Sequence, residues 1–367
     1  MQRADGQQHV ALRLAQFLQR HCFWLLVGCY AFAALWPVPG QRMHKWRWTP
    51  VALPAAEFTL PLVLLALLLF CAAVQADVAK IRAIGSRPWA LVWGTLAVWA
   101  APALLVLVAS AVLPLIVDRE STAELLVGLA LVASMPVANS SVGWTQLVRG
   151  NLALSLALVL VTIFLCPWVT PWLLGWLRLT LSSPDQASFQ SLIENFSGAL
   201  FILWVVLPTA AGLACRYALG GDRVAAGGSW ISLSSVGALL VLNYVNAALA
   251  LPEVLQQSRF SVLATTAILA AALSAIGLAA GWLIARLMRL EPETRLALVF
   301  GLSMKHTGLA LLLAGAMLAH ERLAILMIVL ATLAQHLLAG LVEWRVAGSR
   351  EQGAGNGEPK QTRPGAG

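Results

Sequence analysis

The chain has 367 residues, of which 60% are apolar and only 11% charged, and its mean hydropathy is +0.80. Those proportions exclude a soluble globular enzyme or binding module, where about a quarter of the residues carry charge. A net charge of +8 would point to nucleic acid in a soluble chain, but basic residues flanking membrane spans account for it, and no nucleic-acid partner is expected.

In chain order, segment 1–20 carries Arg3, Arg13 and Arg20 ahead of the apolar run Cys22 to Pro37. No small-residue cleavage site follows that run, which predicts a first spanning helix and not a removed signal. Apolar runs long enough for a bilayer then recur, and about ten spans are expected. They fall near 21–38, 55–76, 88–116, 123–147, 151–177, 196–219, 229–251, 260–287, 294–317 and 321–343. The third, fifth and eighth are long for a hydrocarbon core of about 30 Å, so they should tilt or extend beyond it. Trp89, Trp168, Trp172, Trp230 and Trp344 stand near span ends, as an interfacial belt places them. Glu57 and Asp77 also fall near span ends and are expected at the interface. The five cysteines show no metal or redox spacing and read as small core hydrophobes.

Alternating spans from an inside N-terminus puts 16 basic residues on the inner side and 7 on the outer, leaving Lys305 to neither. Both termini are therefore expected in the cytoplasm, in a multi-pass protein of the plasma or inner membrane whose surroundings are the lipid bilayer. The outer segment with Arg42, Lys45 and Arg47 runs against that bias. Residues 21–347 read as the membrane domain, and the Gly-, Pro- and charge-rich stretch 348–367 as a disordered cytoplasmic tail.

Two spans are interrupted. Leu131 to Ser155 reads LVASMPVANSSVGWTQLVRGNLALS, with Pro136, Asn139, Ser140, Ser141, Gly143, Thr145 and Gln146 inside eleven positions. Pro136 removes a backbone donor, and the hydroxyl and amide side chains after it offer alternative bonds. Arg295 to Leu312 reads RLALVFGLSMKHTGLALL, which brings Ser303, Lys305, His306 and Thr307 into an apolar span. Broken helices at membrane depth are tolerated where they are buried in protein or line a wet cavity, and in transporters their freed ends form the solute and ion site. The plainer reading is a kinked helix whose polar groups bond a neighbour.

Ser134-Met135 and Ser303-Met304 are 169 residues apart, close to half the chain. A duplicated five-span unit inserts upside down, so the chain is expected to hold inverted repeats of about 21–180 and 190–347. The two breaks should then meet, with Asn139 to Val142 beside Ser303 to Thr307. Lys305 sits roughly 15 Å from each interface, beyond the reach of snorkelling. It has three candidate roles: bonding freed carbonyls, neutralising an anionic solute, or carrying a proton. His306 reads as a hydrogen-bonded interior residue or a proton relay. Asn243 and Asn246 share a helix face and are expected either to contact solute or to join helices. Gln335 and His336 read as packing contacts.

Pro136, Ser141, Thr145, Arg149-Gly150-Asn151, Ala153-Leu154-Ser155 and Pro167 to Pro171 resemble the fourth and fifth helices of the bile acid:sodium symporter family. Thr307-Gly308-Leu309-Ala310 resembles that family's Asn-Ser-Gly-Leu-Ala signature on the ninth helix. The resemblance implies an all-α polytopic membrane protein of about ten helices in two inverted five-helix repeats. Two crossing broken helices would form a core domain, beside a four-helix panel. It also implies two sodium ions, but several of the matching positions are changed. Gly301 stands where the family has Glu, Lys305 and Ala97 where it has Gln, Val142 where it has Asn, and Val159 where it has Thr. Ser141 and Ser155 are kept, as the remnant of a sodium site.

The function these features imply is secondary active transport of a small organic solute, an organic anion, by alternating access. No cofactor is expected, and classical two-sodium coupling is not, since Lys305 brings positive charge where a cation would sit. Proton coupling is the alternative. A transporter-like membrane sensor or an arsenite- or auxin-type carrier are competing readings. An intramembrane enzyme has less support, because the chain has no HExxH, no GxSxG and no intramembrane acid pair.

Overall fold

The computed structural model describes residues 13–14, 17–18, 21–48, 58–75, 88–180, 190, 193–194, 202–257, 260–318 and 320–355. Most of segment 1–20, and both Glu57 and Asp77, lie outside the described residues. The helices are α1 (Cys22–Leu35), α2 (Pro37–His44), α3 (Leu60–Gln75), α4 (Pro88–Val112), α5 (Arg119–Ser134) and α6 (Ser140–Leu147). There follow α7 (Leu152–Thr180), α8 (Leu207–Gln257), α9 (Phe260–Leu287), α10 (Pro292–Ser303), α11 (Thr307–Met317) and α12 (Arg322–Gly355). The chain is an all-α membrane protein. Five helical stretches are long and apolar enough to cross a bilayer: Pro88–Leu115, Leu152–Leu179, Leu207–Leu249, Phe260–Leu287 and Arg322–Val346. Trp24–Leu35 and Leu60–Gln75 are shorter apolar helices.

Local chemistry sets the boundaries. Asp118 accepts from the Ser121 N–H at 3.0 Å and starts α5 as its N-cap. Asn151 does the same for α7, its Oδ1 accepting from the Leu154 N–H at 3.1 Å. Pro292 opens α10 in the first turn, where its missing N–H costs nothing. The third, fifth and eighth expected spans are α4, α7 and α9, with 25, 29 and 28 residues, long as their sequences suggested.

Three features differ from the sequence reading. The expected loop between 219 and 229 is helical, because α8 turns on the single residue Gly220, at φ +77°. A glycine adopts that backbone without a Cβ clash, so no longer connection is needed. The segment with Arg42, Lys45 and Arg47 is ordered into α2 and a two-stranded pair, Arg47–Trp48 with Phe58–Thr59. The last helix runs on to Gly355, past Gly348 where a disordered tail was expected to begin. Arg350, Glu351 and Gln352 are good helix formers and extend it.

Packing sorts the helices into two groups. The two arms of α8 lie along α3, α1 and α2. The others assemble around α5 and α10, which are buried along most of their length. Helix α9 reaches α10 backbone to backbone at Gly277, where a Cβ would sit 2.3 Å from the Leu302 carbonyl oxygen. Trp89, Trp168, Trp172 and Trp344 are all exposed, as rings facing a lipid interface should be.

Candidate functional site

Pro136 disfavours helical backbone at the residue before it, and Met135 is extended, with φ −70° and ψ 151°. Helix α5 therefore ends at Ser134, deep in the protein, with terminal carbonyls that need donors. Each finds one. The Leu131 oxygen accepts from the Ser134 hydroxyl at 2.8 Å, and Val132 accepts from the Met135 N–H at 3.1 Å. Ser134 accepts from the Trp99 indole at 2.9 Å and the Thr170 hydroxyl at 2.7 Å. Ala133 and Met135 accept from the Lys305 ammonium at 3.2 and 3.1 Å, and Val98 on α4 accepts from the same group. Lys305 is 2% exposed, so its three N–H groups are matched by three buried carbonyls.

The second break lies directly against the first. Val137 and Lys305 form an antiparallel bridge, flanked by Ala138 N–H to Met304 O and His306 N–H to Pro136 O, both 2.9 Å. The meeting expected of the two breaks is present, but one step earlier in the first break, at Pro136 to Ala138. The reason is register: α6 has already begun at Ser140, so only extended residues before it can pair. Thr162 accepts from the Val137 N–H at 3.1 Å, and Gln335 accepts from the Lys305 N–H at 3.0 Å.

Behind the crossing, Ser141, Thr145 and Ser155 are fully buried together. The Thr145 hydroxyl lies 2.8 Å from the Ser141 carbonyl and 3.3 Å from the Ser155 hydroxyl, and the Ser141 Oγ has no partner. This set offers only neutral oxygens. Sodium favours hard oxygen ligands and gains from a carboxylate. The position where the resemblance implies Glu holds Gly301, where a Cβ would meet Leu158 at 2.9 Å, so an apolar side chain fills that space. The position where it implies Gln is Lys305, in the extended break that follows that helix, and its ammonium takes the carbonyl cage. The residues present do not fit a two-sodium centre. Among the described residues no group of His, Cys, Asp and Glu is placed to hold a metal ion.

A cavity of about 200 Å³ lies beside the crossing. Asn139, Ser140, Lys305, His306 and Thr307 line it, joined by Gln335 and His336 from α12 and Trp144 and Gln146 from α6. The facing wall is largely apolar: Leu68, Leu69, Val159, Leu160, Ile163 and Leu239. Both half-helices α6 and α11 begin on the polar side of the cavity, at Ser140 and Thr307. The backbone N–H groups of Ser140 and Gly308, in their first turns, meet no protein acceptor among the described residues. The partial positive charge of a helix start thus faces the cavity twice.

The other expected site residues lie elsewhere. Ser303 is buried and returns its hydroxyl to the Phe300 carbonyl at 3.3 Å. Asn243 accepts from the Tyr30 hydroxyl at 2.6 Å, and Asn246 donates to the Leu242 carbonyl at 2.9 Å; neither lines the cavity. Asn243 therefore joins α8 to α1, which its position in sequence left open. Gln335 and His336, read as packing contacts, are cavity residues. The available signal was their adjacency in an otherwise apolar span, since polar side chains at membrane depth mark sites by default.

The sodium bile acid symporter family model matches residues 62–257, more than half of the chain. The match takes in the first break and the Ser141–Thr145–Ser155 cluster, and ends before the second break. No curated protein matches the sequence. On its sequence, then, and with a buried broken helix where the matching segment runs, the chain belongs to the sodium bile acid symporter family, a family of membrane transporters.

Proposed function

We propose that this chain is a secondary transporter of a small organic anion, working by alternating access and needing no sodium gradient. The observation that carries this reading is the Lys305 ammonium, which bonds the Val98, Ala133 and Met135 carbonyls beside a cavity faced by two helix starts. A tethered cation in that cage repels a second one. The first-turn N–H groups of Ser140 and Gly308, at the cavity lining, favour an anion there. The apolar facing wall suits the organic part of such a solute.

In this reading the chain comprises two inverted five-helix repeats, about 21–180 and 190–347. The crossing helices belong to a core domain that rocks against a panel formed by α1, α3 and the two arms of α8. Both termini face the cytoplasm, from the basic bias of the connections. The cavity extends towards the ends of α3 and α6, at Gln75 and Leu147, which the same topology assigns to the cytoplasmic side. The test is uptake of labelled organic anions into proteoliposomes, with sodium replaced by choline and the proton gradient varied separately. Uptake unchanged in choline is expected. A strict sodium requirement that persists in Lys305→Gln would overturn the reading.

A further inference from the structure

The cavity lining ends at Leu239 on α8 and at Gly308 on α11, on the side away from Gln75 and Leu147. Asn246 and Gly315 each lie seven positions further along those helices, about 10 Å beyond the lining. There α11 offers only the backbone of Gly315. A Cβ added to it would lie 3.4 Å from His44 Cε1 and 3.4 Å from Asn246 Oδ1. His44, the last residue of α2, thus fills the gap between α8 and α11 beyond the cavity. Helix α2 is bonded to α8. The Tyr244 hydroxyl accepts from the Gly40 N–H at 3.2 Å and donates to the Trp36 carbonyl at 2.9 Å. The Gln41 amide donates to the Ala248 carbonyl at 3.2 Å. When α11 moves away from α8, His44 stays with α8 and its contact with Gly315 breaks.

We infer that His44 is a pH-sensitive latch on the outer mouth: the neutral ring closes against Gly315, and protonation parts α2 and α8 from α11. This rests on the transport reading and its topology, and adds what regulates one side of the cycle. Whichever nitrogen takes the first proton, the charged ring carries an N–H at Nδ1. In the closed contact Nδ1 is buried and has no partner. Such an N–H gains an acceptor only when the two faces separate and water enters. The surrounding charges act in the same direction. Burial, and then the Arg47 charge, lower the pKa of the ring below the ordinary 6.5. Arg42 and Lys45, also positive, are exposed beside it. Helix α11 has no titratable side chain, and those of α1 and α3 are cysteines and Tyr30. On α8 the Tyr244 hydroxyl is engaged with α2, and Glu253 follows two turns beyond Asn246. Past the end of α11, His320 and Glu321 face each other at 3.6 Å.

Distance measurements on the full chain in liposomes test this. Nitroxides at Arg42→Cys on α2 and Arg119→Cys at the start of α5, in a background without the native cysteines, report the outer mouth by double electron–electron resonance. The short distance should dominate at about pH 8. A longer one should grow on acidification, its share relative to the short one rising about 10-fold by about pH 5, the effect of one pKa unit between closed and open forms. His44→Gln should hold the short distance throughout, while His320→Gln keeps the response of the parent. Gly315→Leu overfills the gap and should give the long distance at every pH. A parent whose distance ignores pH, or shortens on acidification, overturns the inference. So does a response that survives in His44→Gln, or a short distance retained in Gly315→Leu. No solute enters these measurements, so those outcomes leave the transport reading standing. Absence of uptake of any anion in proteoliposomes would sink that reading separately.

Discussion

The Lys305 ammonium donates to the Ala133 carbonyl oxygen at 3.2 Å, tying the second break to the end of the helix that leads into the first. The two residues are 172 positions apart in sequence. A helix that stops inside a protein leaves carbonyls that water cannot reach, and a buried ammonium needs oxygens that water cannot supply. Each defect answers the other. The pair therefore links the two halves of the molecule through a polar contact neither half could satisfy alone.

Lys305→Met should unfold the crossing at lower temperature. It leaves the carbonyls of Val98, Ala133 and Met135 buried without a donor, each at about 1–3 kcal/mol, so a total loss of about 3 kcal/mol or more is expected. Lys305→Arg should also destabilise, because a guanidinium is bulkier than the 2% exposed pocket around the ammonium. Melting curves in detergent check both. A variant as stable as the parent would mean the cage contributes nothing.

Thr162 is a smaller test of the same crossing. Its hydroxyl accepts from the Val137 N–H at 3.1 Å and donates to the Leu158 carbonyl at 2.7 Å. Thr162→Val keeps the shape and strands the Val137 N–H, at about 1–2 kcal/mol. Thr162→Ser should recover most of that. Equal losses in the two variants would point to packing in place of the hydrogen bond.

Cysteines at Ala138 and Met304, in a background without the native cysteines, should form a disulfide on mild oxidation. Ala138 N–H bonds Met304 O at 2.9 Å, and facing residues of an antiparallel pair lie about 5 Å apart, within disulfide reach. Mass spectrometry of the digested protein reads the link directly. Its absence would mean the breaks do not pair in this register.

His44, at the end of α2 and outside the spanning helices, carries a pH dependence of known sign. Burial, and then the nearby Arg47 charge, push its pKa below the ordinary 6.5, and its Nδ1 is buried without a partner. The fold thus favours the neutral ring. Its contribution is fully present above about pH 6.5 and is lost as the pH falls below that value, where the unfolded chain takes up the proton more readily. The melting temperature should drop on acidification by more in the parent than in His44→Gln. Parallel curves would remove His44 from the account.

The amino-acid sequence by itself determined where helices must fail and what kind of solvent surrounds them. Pro136 removes a donor, Lys305 puts a charge in an apolar span, and both costs are local, so both breaks were legible. The family pattern from Pro136 to Ser155 was legible for the same reason: it is contiguous. Only the tertiary structure decided what each polar group meets. Lys305 finds Val98, 207 residues away, and Asn243 finds Tyr30, 213 residues away, which turns one towards the crossing and the other into a tie between helices. It also placed His336 on the cavity wall and left Asn246 off it, though both are polar residues in apolar spans. Sequence spacing gives the face of a helix a residue occupies. Which neighbour covers that face depends on how the helices pack, and that is settled only when their distant backbone groups have found one another.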